Sequence, residues 1–276
     1  MRYSGNEILK RLGYVRERKY RHHTPPYTVP FLGCDQPNVT WSADYKGQFR
    51  TGNGRLCYPL TITDNCSRYL LGCCGLTRPT FEQTKPRFEW VFRQYGLPDA
   101  IRTDNGVPFA SVGLAGLSKL SVWFIQLGIK PERIVAGRPE QNGRHERMHR
   151  TLKAETATPP KGNMPAQQKA FNRFQGEYNN ERPHEALGQK TPVSVYRPSP
   201  HPFPMKPPRV QYDTNTKVRY VHPNGCIKWN GEMIYLSQSI AGETVGFHEI
   251  GDGLWAMAYS FHPLGILDEK RMKIQP

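Results

Sequence analysis

The stretch Val39–Leu76, VTWSADYKGQFRTGNGRLCYPLTITDNCSRYLLGCCGL, decides the fold. Its apolar residues fall into three short runs, Val39–Tyr45, Leu56–Thr63 and Arg68–Leu76, each bounded by Gly, Asn or Asp. Runs of this length, rich in β-branched and aromatic residues, read as strands. Gly52-Asn53-Gly54 is a strong turn signal between the first two, and Asp64-Asn65 a weaker one before the third. Three consecutive strands in an antiparallel meander are expected. Downstream the period changes. Phe88, Val91, Phe92 and Tyr95 recur at i, i+3, i+4 and i+7, which predicts a helix over Phe81–Tyr95 that Gly96 ends. Ala100–Thr103 reads as a short strand, Leu117–Leu127 as a helix stopped at Gly128, and Ile129–Val135 as a strand. Gly143–Glu155 and Ala166–Tyr178 read as helices. This order predicts an α/β fold class: a mixed five-stranded sheet flanked by helices.

The flanks read differently. Residues 1–30 carry seven Lys and Arg against two Glu, and Thr24-Pro25-Pro26 forbids a continuing helix, so 1–34 reads as a basic N-terminal arm. The α/β core spans 35–190. Residues 191–208 hold seven prolines and are expected to be an extended linker, neither helix nor central strand. Beyond it, Lys217–Val221, Cys226–Trp229, Glu232–Leu236, Thr244–Ile250 and Leu254–Tyr259 alternate between turn signals, which predicts a small all-β barrel over 209–276.

The chain has 276 residues, with 38 Lys and Arg against 23 Asp and Glu, a formal net charge of +15. That excess points to a polyanionic partner, most often nucleic acid. No run approaches the ~18 apolar residues of a membrane span, and no apolar segment follows the basic N-terminus, so neither a span nor a signal peptide is expected. The six cysteines form no C-x-x-C pair, which fits reduced thiols and a cytoplasmic setting.

Two carboxylates stand where strands end. Asp44, in TWSADYKG, is a polar residue within an otherwise buried-looking strand, and Asp104 follows Ala-Ile-Arg-Thr and precedes an Asn-Gly turn. Carboxylates at strand ends, joined by one from a helix, make a hard-oxygen cage suited to Mg²⁺ or Mn²⁺. Two such ions about 3.5–4 Å apart serve phosphoryl transfer. The helix GRHERMHRTLKAE carries a competing signal, since His145-Glu146-x-x-His149 matches the zinc-peptidase pattern. Against that, Arg144, Arg147, Arg150 and Lys153 surround the motif, and such a charge set opposes a dication but suits a phosphate backbone. Glu146, His149, Arg150 and Lys153 share one helix face.

These residues carry a resemblance. Asp104-Asn105-Gly106 with Phe109, followed by Gly137–Lys153 (GRPEQNGRHERMHRTLK), is similar to the integrase core of insertion-sequence transposases, relatives of retroviral integrase. Trp41-Ser42-Ala43-Asp44 resembles that family's first-strand motif, Thr63-Asp64 with Ser67-Arg68-Tyr69 its second-strand turn, and Tyr178–His184 (YNNERPH) the segment closing the core. The resemblance covers about residues 35–198 and implies an RNase H-like fold with a D,D,E triad. Asp44 and Asp104 would be the first two acids. The common spacing points to Glu140, with 35 residues between it and Asp104, whereas Asn142-Gly143-Arg144-His145-Glu146 matches the family's N-G-x-x-E and leaves 41. We assign Glu146, with the extra length between Val112 and Ser121.

The resemblance implies that Asp44, Asp104 and Glu146 hold two Mg²⁺ or Mn²⁺ ions and catalyse phosphodiester hydrolysis at element ends, then 3′-OH strand transfer into target DNA. Lys153, Arg150, His149, Arg147, Asn142 and Arg144 would contact DNA. The partners implied are double-stranded DNA and further copies of the chain in a synaptic complex, associated with the nucleoid and with no membrane. Members of the family carry an upstream helix-turn-helix region, and Asn6–Arg18 resembles only its end. The alternatives are therefore a truncated, non-catalytic DNA-binding fragment that inhibits a full-length transposase and, third, the zinc metallopeptidase.

Overall fold

The computed structural model describes residues 34–45, 47–133 and 143–275, with 143–146 as helix backbone only. The basic arm, Glu140 and Asn142 lie outside the described residues. The first sheet contains β1 (Thr40–Tyr45), β2 (Phe49–Arg50), β3 (Leu56–Asp64), β4 (Leu70–Leu76), β5 (Ala100–Thr103) and β6 (Lys130–Arg133). β4, β3 and β1 pair antiparallel, and β1, β5 and β6 parallel, so the sheet is mixed. It has six strands where five are expected. Two-residue β2 pairs with the start of β3 across the Gly52-Asn53-Gly54 turn, and a pair that short has no period to read.

Helices cover both faces: α1 (Phe81–Tyr95) and α2 (Lys119–Gln126) on one, α3 (Gly143–Thr156) and α4 (Met164–Asn180) on the other. Opposite strand faces feed the two cores, and in β4 the simple alternation breaks at the register shift between Ile62 and Thr63 of β3. Along β4, Leu71 enters the core beneath Phe88, Val91 and Phe92, whereas Leu70 and Cys73 enter the opposite core with Met148, Leu152, Phe171 and Phe174. α2 starts at a capping box in which Ser118 and Ser121 satisfy each other's backbone N–H. Asn163 caps α4 by accepting from the Ala166 N–H.

The proline-rich stretch packs on the first domain. It opens with a helical turn, α5 (Pro192–Val195), correcting the expectation of no helix there. Its proline sits at the helix start, where the missing N–H costs nothing. The chain then runs along the first domain. Tyr196 is buried and stacks on Tyr69 at 4.4 Å, and Phe203 packs on Phe92 at 5.9 Å and on Trp123 at 6.4 Å. The Leu97 N–H donates to the His201 carbonyl. Gly96 has φ +79°, and a Cβ there would meet the Ser199 and His201 carbonyl oxygens at 2.8 Å, so only glycine lets this strap approach.

The C-terminal residues are all-β, with two strands more than expected. β7 (Lys217–Tyr220), β10 (Thr244–Gly251), β11 (Leu254–Tyr259), β12 (His262–Asp268) and β13 (Lys273–Gln275) form an antiparallel sheet, and β8 (Cys226–Trp229) and β9 (Glu232–Tyr235) a separate hairpin. Both enclose Ile227, Trp229, Phe247 and Tyr259. Leu117, Val122 and Ile125 of the first domain belong to this same cluster. Leu117 and α2 therefore dock the two domains.

His262 is buried at that junction. Burial, with the Arg133 guanidinium beside it, lowers its pKa from 6.5 to about 4. An unfolded histidine takes its proton near pH 6.5, so this contribution to stability is complete above that pH and is lost as pH falls toward about 4, at roughly 3 kcal/mol. Urea titrations at pH 7 and pH 4.5 should show a fall in stability of that order, and His262→Gln should flatten it.

Candidate metal and phosphoryl-transfer site

β1 and β5 run parallel with Ser42 opposite Arg102 and Ala43 opposite Thr103. Asp44 and Asp104 are the next residues along these two chains, Asp104 just past the end of β5. Trp41, Ala43 and Ile101 enter the core under α1 and α2. By alternation Asp44 projects to the other face, where His149 of α3 lies 3.5 Å from it. Asp44 is half-buried, and so is Asp104. Burial raises the Asp104 pKa, offset only by the Gly106 N–H donating to Oδ1 at 3.1 Å. A carboxylate held at that cost is one whose charged form a nearby cation would stabilise.

α3 reaches Asp44 through His149. Its ring is fully buried, with Nε2 2.6 Å from Thr61 Oγ1 and Nδ1 3.5 Å from Asp44 Oδ2. The Thr61 hydroxyl also donates to the Asp44 carbonyl at 3.3 Å, so Thr61 and His149 both pack against the Asp44 end of β1. This corrects the expectation that His149 contacts DNA. Met148, Leu152 and Thr156 turn the same side of α3 into the sheet, and the histidine goes with them. It also removes the second ligand of a zinc-peptidase motif, because both ring nitrogens face residues of the sheet. Thr61 went unnoticed in the sequence, although it lies opposite Asp44 in the β1–β3 register and strand alternation alone puts it on the α3 face.

Position 146 lies one turn ahead of His149, about 4.5 Å along the helix axis. Arg144 and His145 share that described backbone, while Glu140 and Asn142 fall outside the described residues. Arg147, Arg150 and Lys153 are exposed. Among the described residues no three His, Cys, Asp or Glu side chains cluster as metal ligands. Asp64, by contrast, is a structural acid. Its buried carboxylate accepts from the Asn38 N–H and from the N–H and hydroxyl of Ser67, which holds the β3–β4 turn.

The comparisons with known proteins agree with this architecture. Residues 35–139 match an integrase core domain family, and residues 127–192 match a second family of the same description. The Gag-Pol polyprotein of woolly monkey sarcoma virus is 31 % identical over 124 residues, which are 45 % of this chain and 7 % of the polyprotein. An uncharacterised 31.7 kDa protein of insertion element IS407 from Burkholderia multivorans is 28 % identical over 163 residues, 56 % of this chain and 54 % of that one. The chain thus spans less than a tenth of the Gag-Pol polyproteins it matches. A chain in the simian T-cell lymphotropic virus intasome, solved with a PP2A regulatory subunit, superposes with a TM-score of 0.51 at 18 % identity, covering 95 % of this chain and 90 % of that one. At that identity the likeness speaks for the fold alone.

Proposed function

Residues 35–192 of this chain belong to the integrase core family, and on that premise we propose that the protein is a D,D,E-type transposase. It would hydrolyse a phosphodiester at an element end and then join the freed 3′-OH to target DNA, working as an oligomer on DNA of the cytoplasm. The observation that supports this reading is the parallel register pairing Ala43 with Thr103, the residues just before Asp44 and Asp104.

The donor set suits a hard divalent ion: two carboxylates, one of them desolvated, with a third, Glu146, on the helix whose His149 reaches Asp44. Two Mg²⁺ or Mn²⁺ ions, when bound, would activate the attacking oxygen and neutralise charge on the leaving one. Both steps are in-line displacements at phosphorus, so one site serves both. Asp44 and Asp104 hold and orient. His149, 3.5 Å from the Asp44 carboxylate, lies against it, and Thr61 holds the ring. Arg150 and Lys153, exposed on the following turns, attract the phosphate backbone.

The test is nicking of supercoiled plasmid in Mn²⁺ by wild type, Glu146→Gln and Glu140→Gln at equal DNA binding. Loss in Glu146→Gln with activity kept in Glu140→Gln is expected. Loss only in Glu140→Gln would move the third acid to the residue favoured by spacing, and binding without nicking by wild type would overturn the enzyme.

A further inference from the structure

A second cleft lies on the other side of α3, between that helix, the β3–β4 turn and the segment after α4. It encloses about 250 Å³. Three guanidinium groups line it: Arg68 from the turn, Arg147 from α3 and Arg182 from the segment after α4. Thr151 and His184 add a hydroxyl and an imidazole. We propose that this cleft binds one backbone phosphate of the DNA, flanking the one at the carboxylates.

The charges support an anion. Arg147 is exposed and makes no ion pair among the described residues. Arg182 donates to both oxygens of Glu155 at 2.7 and 2.9 Å, and Arg68 to the Asn65 carbonyl at 2.7 Å, so both are held in place. Counting Glu155 and Glu185, which also lines the cleft, a positive excess remains. The His184 ring packs edge-on against Tyr178 at 4.9 Å, and its buried Nε2 has no hydrogen-bond partner among the described residues. A buried polar atom of that kind calls for a partner. Burial and the guanidiniums of Arg68 and Arg182 lower the His184 pKa, and an anion would offset both.

Position favours DNA over a free anion. Arg147 stands two residues before His149, whose ring reaches Asp44, so the cleft and the carboxylates are separated by one helix, about 10–12 Å across. A duplex with one phosphate at Asp44 and Asp104 has others within that reach, since each strand carries a charge every ~3.4 Å of axis. The net charge of +15 points the same way. This inference rests on the DNA-processing reading.

Fluorescence anisotropy with a labelled duplex tests it, in Ca²⁺ to prevent turnover, from about 50 to 200 mM salt. Arg147→Gln and Arg182→Gln should each weaken binding roughly five- to tenfold at 0.1 M salt and reduce the slope of log K against log salt by about one. Arg173→Gln, which removes an exposed arginine on α4, should change neither. Arg147 is exposed, so its variant retains the fold and decides the matter if Arg182→Gln does not fold. Wild-type slopes in the cleft variants, or an equal loss in Arg173→Gln, would overturn the cleft while leaving the DNA reading intact. Absence of salt-dependent duplex binding by wild type would overturn both.

Discussion

Asp44→Asn and Asp104→Asn should each reduce plasmid nicking by at least about 10³-fold while leaving the fold and DNA affinity in place. The substitution keeps size and shape and removes only the charge. Three decades of rate correspond to about 4 kcal/mol of lost barrier lowering, within what removing a ligand from a divalent-ion site should cost. Stability should move the other way. Burial raises the Asp104 pKa, so its ionised form costs folding free energy at neutral pH, and Asn removes that cost. A melting temperature unchanged or raised beside a collapsed rate is the expected signature. A parallel loss of melting temperature and activity would mean that the aspartates hold the fold.

Phe92→Ala should be the most damaging core substitution, at about 3–5 kcal/mol. The ring is fully buried. It meets Trp41 of β1 at 5.9 Å, Phe88 of α1 at 5.7 Å, Trp123 of α2 at 5.5 Å and Phe203 of the proline-rich strap at 5.9 Å. Truncation opens a cavity bordered by four separate segments, which cannot all close on it. Chemical denaturation checks the value, and a loss below about 1 kcal/mol would show that the strap and helices relax into the space. Phe203→Ala should cost less, since Phe203 is only partly buried.

Local pattern made much of the first domain legible. The alternation around Trp41 and Ala43 and the helical spacing of Phe88, Val91, Phe92 and Tyr95 each belong to one element, and the structure realises both. What the sequence concealed depends on contacts between distant segments. Nothing local reveals that Ser42 faces Arg102 and Ala43 faces Thr103, the residues just before the two aspartates. His149 reads as one more polar residue on a basic helix until the packing of α3 turns it toward Thr61 and Asp44. β12 was hidden by Pro263 and Gly265, which interrupt its alternation, and β13 by its length of three residues. Leu117, Val122 and Ile125 read as an ordinary helix core, yet they serve the C-terminal domain. Composition cannot tell whether the proline run is a strap or a tether; Tyr196 and Phe203 make the difference.

Anomalous diffraction from crystals soaked in Mn²⁺ would test the central claim most directly. The account predicts a peak between the carboxylates of Asp44 and Asp104, with Glu146 completing the site from α3, and its loss in Asp104→Asn crystals. A peak on His145 and His149 instead, or none at the aspartates at a concentration that supports nicking, would contradict it.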